Sequence, residues 1–77
     1  MTIYKVRIRV DGDKTIYTVN QQVLSTITHL TDTGKYEVTA PSKNAIVDNA
    51  AEAETIAKDD ITNLFTKLGI VPNFIND

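Results

Sequence analysis

The side chains in this 77-residue chain best placed to act together are Lys5, Arg7 and Arg9. They occupy alternate positions of the opening MTIYKVRIRV, interleaved with Tyr4, Val6, Ile8 and Val10. In an extended strand alternate side chains share a face, so the cations line one side and the apolar groups the other. A row of this kind can track phosphates with salt-dependent affinity, or meet the carboxylates of an acidic protein. Lys14 lies just across the next turn and extends the row, and Lys35 would join it if the hairpins are neighbours. The competing account is a solvated strand face. Binding of single-stranded nucleic acid also calls for aromatic stacking platforms, and Tyr4 and Tyr17 fall on the opposite side, expected to be buried.

The other combinations lack parts. His29 is the only histidine and there is no cysteine, which removes multi-histidine and thiolate metal sites. Asp11 and Asp13 have the alternating spacing that opens a calcium loop, but the rest of that pattern, including its closing glutamate, is missing. With Asp32 they read as turn aspartates. Neither Ser25 nor Ser42 sits in a Gly-x-Ser-x-Gly elbow beside a base. Asp59 and Asp60 are adjacent on an expected helix and diverge by about 100° around its axis, so they do not form a catalytic pair. Gly12, Gly34 and Gly69 each mark a turn or a helix end, and none belongs to a phosphate-cradling loop. No metal, no cofactor and no enzymatic activity are expected, and no motif marks a known family.

Composition adds bounds. The net charge of −2 argues neither for a polyanion partner through overall electrostatics nor for an acidic mimic of one. Residues 1–77 are expected to form a single domain. A chain of this size buries only about 60% of the surface its unfolded form exposes, so dimerisation is one way to gain buried area. The opening residues hold no apolar h-region, and no run approaches the roughly 20 apolar residues of a membrane span. A soluble, cytoplasmic protein without membrane contact is the expectation. Small cysteine-free domains without motifs are common in phage and mobile-element accessory gene sets, which is a generality rather than a reading of any residue.

Positioning falls to a few elements. Residues 2–10 form a strand, and Asp11-Gly12 signals a hairpin returning through Thr15, Tyr17 and Val19. A two-residue turn at Asp11-Gly12 would set Arg9 against Lys14; a four-residue turn over 11–14 avoids that like-charge pair. Both registers bury the same face. Residues 23–30 and 35–40 make a second hairpin around Thr31-Asp32-Thr33-Gly34, with a short helix at 21–30 as the alternative. A one-residue slip decides whether Ile27, or Leu24 and Leu30, turn inward. Pro41-Ser42-Lys43-Asn44 ends the sheet.

Residues 50–68 then form an amphipathic helix. Asn49 caps it, Glu52 sits at capping-box spacing, and Gly69 takes the left-handed position beyond its end. Asp60 is placed at the wet edge of the apolar stripe. The final residues, Val71, Phe74 and Ile75 among them, tuck under the sheet or meet a partner. The resulting fold is α+β: an antiparallel sheet of three to four strands, built as two consecutive hairpins, with one C-terminal helix on one face. Its core would be Tyr4, Val6, Ile8, Tyr17, Val19, Val38, Ile56, Ile61, Leu64, Phe65 and Leu68.

The function that follows is a non-catalytic protein-binding or regulatory module. Homo-oligomerisation is slightly favoured, because sheet edges offer unpaired backbone groups. The first strand, long and regular, is the expected edge donor. The alternative is a small nucleic-acid-binding module using Lys5, Arg7, Arg9 and Lys14.

Overall fold

The computed structural model describes residues 2–77; Met1, the first residue of the expected single domain, lies outside the described residues. In chain order the elements are β1 (Thr2–Asp11), β2 (Lys14–Val19), β3 (Gln22–Leu30), β4 (Lys35–Thr39), β5 (Asn44–Val47), α1 (Ala50–Lys67) and β6 (Ile70–Asn76). One six-stranded sheet runs in the order β5-β4-β3-β2-β1-β6. The first five strands form an antiparallel meander, and β6 returns parallel to β1.

The α+β class holds, but the sheet exceeds the expected three to four strands and is mixed rather than antiparallel. Two segments account for the difference. Pro41-Ser42-Lys43-Asn44 does not end the sheet: Lys43 C=O accepts from Ala40 N–H at 2.9 Å, closing a tight turn that launches β5. The final residues form β6, whose pairing with β1 runs from Thr2↔Ile70 to Ile8↔Asn76. Parallel strands need a long crossover, here the helix. Four successive antiparallel pairings leave β5 pointing the same way as β1 and β6. The 18-residue α1 is about 27 Å long, close to the roughly 24 Å between the two edges of such a sheet.

Turn chemistry sets the registers. Asp11 pairs with Lys14 and Val10 with Thr15. This is the register that spares Arg9 from Lys14, although the loop itself is only Gly12-Asp13. Gly12 takes a φ of +60° at the first loop position, as a type II′ turn requires. The second loop is Thr31–Gly34: Gly34 N–H donates to Leu30 C=O at 2.7 Å with a φ of +75°, the expected type I turn with a left-handed closure. Between these hairpins, Asn20 and Gln21 join β2 to β3, both at positive φ. A bulge follows, because Tyr17 faces Ser25 while Thr18 faces Val23. Leu24 is the extra residue. The slip resolves with Ile27 inward and buried; Leu24 packs at the core margin.

The helix begins as expected, with Asn49 Oδ1 accepting from Glu52 N–H at 2.8 Å, and Gly69 follows its end at a φ of +71°. Its buried line is Ala53, Ala57, Asp60, Ile61 and Phe65. These positions recur at three- and four-residue steps, so they form one stripe against the sheet. Alanine at 53 and 57 lets the helix backbone come close. The line runs slightly to one side of the expected one. Leu64 is 36% exposed and Leu68, at the C-cap, 64% exposed, so neither is core. Tyr4 is 40% exposed and likewise outside the core. Val6, Tyr17, Val38, Ile61 and Phe65 are buried as expected, joined by Ile27, Ala40, Ala53 and Ala57. Ile8, Val19 and Ile56 pack at the rim.

Asp60 is not at a wet edge. It is 6% exposed, and Ser42 binds it twice, through its backbone N–H to Oδ2 at 2.7 Å and through its hydroxyl to Oδ1. Burial alone would raise its pKa; the two Ser42 bonds, with the charges of Lys43 and Lys67, outweigh that and hold it below the ordinary carboxylate value. The helix is thus tied to the β4–β5 turn by a buried anion.

Candidate functional site

The helix covers one face of the sheet. The other carries Ile3, Lys5, Arg7 and Arg9 from β1, Lys14, Ile16 and Thr18 from β2, Val23, Thr26 and Thr28 from β3, Glu37 and Thr39 from β4, and Ile46 from β5, as the registers require. No element among the described residues packs over this face. Ile3, Val23 and Ile46 are each at least 60% exposed on it.

Lys5, Arg7 and Arg9 all point away from the helix, as expected, and line a single groove. About 720 Å³ in volume, it is also bounded by Ile3, Tyr4, Thr18, Val19, Asn20, Gln21 and Val23. Its origin is a mismatch in strand length. The pairing of β1 with β2 covers Arg7–Asp11, whereas the pairing with β6 covers Thr2–Ile8. Beyond Arg7 the β2–β3 hairpin turns off through Asn20-Gln21, leaving the first half of β1 with a neighbour on one side. The first strand is therefore central in the sheet, not an edge, except along this stretch.

The remaining cations are placed differently. Lys14 shares the open face but sits opposite Asp11, outside the groove. Lys35 is on β4, three strands from β1, and its Nζ lies 3.8 Å from Asp48 Oδ1; it does not join the row. Inside the groove Asp77 is the acid: its Oδ1 lies 3.5 Å from Arg7 Nη1, with both side chains about half exposed. Its backbone N–H donates to Ile8 C=O at 2.8 Å.

The final segment divides between the two faces. Phe74 packs inside the fold, edge-on to Tyr17 at 6.4 Å between ring centroids, with Lys58 Nζ 5.8 Å from its own ring. Val71 and Ile75 pair with Ile3 and Arg7 and add apolar surface to the open face. Tyr4, Tyr17, His29, Tyr36, Phe65 and Phe74 all lie on the helix side; among the described residues Tyr4 alone of them also borders the groove, with its ring edge-on to Phe65.

The nucleophile and base candidates are spread apart. Ser25 is buried beneath the helix, and its hydroxyl, like that of Tyr17, meets no partner among the described residues. His29 shares a face with Ser25 but is four residues along β3, about 13 Å away, and stacks on Tyr36 at 4.5 Å. Burial, aided by the charge of Glu54, pushes the Tyr17 phenol up to about 12. Ser42 is engaged by Asp60. Among the described residues no group of three or more His, Asp or Glu could hold a metal ion, and no helix is long and apolar enough to cross a membrane.

The sequence does not mark the groove-lining Asn20-Gln21 turn. Its signal is slight, since Asn tolerates a left-handed backbone but Gln gives no turn cue. Comparison of the chain with family models, curated proteins and solved structures found no match.

Proposed function

We propose that this chain is a non-catalytic binding module of regulatory type, acting through protein association on the uncovered face of its sheet. The observation that carries this reading is the six-stranded face with no covering layer, where Lys5, Arg7 and Arg9 stand among exposed Ile3, Val23 and Val71. Apolar area beside fixed cations is the composition of a protein contact, in which the apolar part supplies affinity and the charges set register and partner choice. The same cations support a second reading, a nucleic-acid-binding module, because a regular row of positive charge can follow phosphates. The position of every described aromatic ring on the helix side favours the protein.

The test is affinity capture from the native host with the wild-type chain and with an Arg7→Glu/Thr26→Glu variant of the open face, followed by mass spectrometry. Proteins recovered by the wild type and lost by the variant support the reading. Identical recovery by both overturns it, and recovery abolished by nuclease transfers the assignment to nucleic acid. Light scattering on the pure protein shows whether a second copy of the chain is among the partners.

A further inference from the structure

Resting on that reading, we propose that the β1 groove receives an extended acidic segment of the partner protein, which adds as a short strand beside Ile3–Lys5 and places alternate carboxylates against Lys5 and Arg7. Three observations converge on it. The first is backbone direction. Ile8 turns its carbonyl toward β6, where it accepts from Asp77 N–H. Backbone groups alternate along a strand, so Ile3, Lys5 and Arg7 turn theirs to the other side. Arg7 meets Thr18 of β2 there, but Ile3 and Lys5 lie beyond the last residue paired with β2. Their N–H and C=O groups face the groove, in the arrangement that lets an incoming peptide extend a sheet.

The second observation is charge. Alternate residues of β1 are about 6.6 Å apart, the same step as alternate side chains of an extended peptide, so acids at every second position match the row. The third is that one carboxylate already sits there. Asp77 meets Arg7 at 3.5 Å across a half-exposed contact, long enough to be displaced. A partner acid on Arg7 therefore competes with an internal one, and this competition sets a threshold for binding. Ile3 and Val23, exposed on the same face as the cations, give the methylene stems of the acids apolar surface to lie against.

The probes are a fluorescent Val-Glu-Val-Glu-Val peptide, an isomer with its glutamates contiguous, the alternating peptide N-methylated at the amides on one edge, and an oligothymidylate. Anisotropy against the full chain at about 50 mM salt reads binding where screening is weak. The alternating peptide is expected to bind at least five-fold tighter than its isomer and ten-fold tighter than the N-methylated form. An exposed charge pair contributes about two- to five-fold, so Arg7→Ala should weaken binding by that factor and Asp77→Ala should tighten it by a similar one. Folding of each variant is checked by circular dichroism. No binding, equal binding of the three peptides, or tighter binding of the oligothymidylate overturns the inference. These failures leave face-dependent capture intact, whereas capture that ignores the face sinks the broader reading even if the peptide binds.

Discussion

Ser42→Ala tests the buried tie between helix and sheet. The hydroxyl of Ser42 donates to a carboxylate that is 6% exposed, so removing it leaves Asp60 Oδ1 without that partner where water has little access. A hydrogen bond to a charged acceptor contributes about 1.5–3 kcal/mol net. A domain of this length has a total stability of about 4–12 kcal/mol, so the loss is a large share. At 4–8 °C per kcal/mol for such a domain, the melting temperature should fall by about 6–24 °C at pH 7. The pH dependence fixes the cause. The folded-state pKa of Asp60 is lowered, so its contribution is present above the unfolded value of about 3.9 and is lost as pH falls through the folded value. The gap between wild type and variant should therefore be full at pH 7 and narrow below about pH 4. Asp60→Asn, which keeps the shape but not the charge, should flatten the acid limb of the stability profile. Melting of Ser42→Ala within about 2 °C of wild type, or a gap unchanged from pH 7 to pH 3, would refute the tie.

Phe65→Ala should cost about 3–5 kcal/mol in denaturant titration, whereas its neighbour Leu64→Ala, 36% exposed, should cost less than half as much; equal losses would mean the helix presents a different face to the sheet. Gly69→Val should destabilise by about 1–2 kcal/mol, because a β-branched residue resists a φ of +71°, and unchanged melting would remove the left-handed cap. Gln21 sits at a φ of +67°, so Gln21→Gly should raise stability by up to about 1 kcal/mol; a clear loss would show that the turn conformation differs.

What the sequence makes legible here is whatever local chemistry decides. Asn49, Glu52 and Gly69 bracket the helix because caps act within a turn of the residues that form them, and Gly12 and Gly34 locate the hairpins for the same reason. The basic face of β1 follows from strict alternation alone. What escapes is decided at a distance. β6 reads as an apolar tail because its partner β1 is about 70 positions away and no turn connects them; Pro72 further disguises it, though an edge strand tolerates proline. Asp60 falls within the buried helical line, but only the Ser42 turn makes its burial bearable, and that contact spans 18 positions. The groove is hidden for a third reason. It exists because β2 stops pairing before β1 does, a difference in strand length that neither strand's pattern reveals alone.

The same economy explains where a binding surface is available. A 77-residue chain with a six-stranded sheet has one helix to spend, and it protects one face. The bare face must survive in water. Thr18, Thr26, Thr28 and Thr39 across β2 to β4 meet that need, since threonine suits a strand through its branched Cβ while offering water a hydroxyl. The two true edges are also blunted: β5 is only four residues long, and β6 carries Pro72, which has no N–H to give. Neither device protects Ile3–Lys5. There the backbone is open on one side within a long regular strand, and the guards beside it are Lys5 and Arg7. Cations deter a second copy of the same strand by repulsion, but they attract an acidic one. If the proposed acidic strand binds here, the same cations that repel a second β1 would select it, so partners would be discriminated by charge.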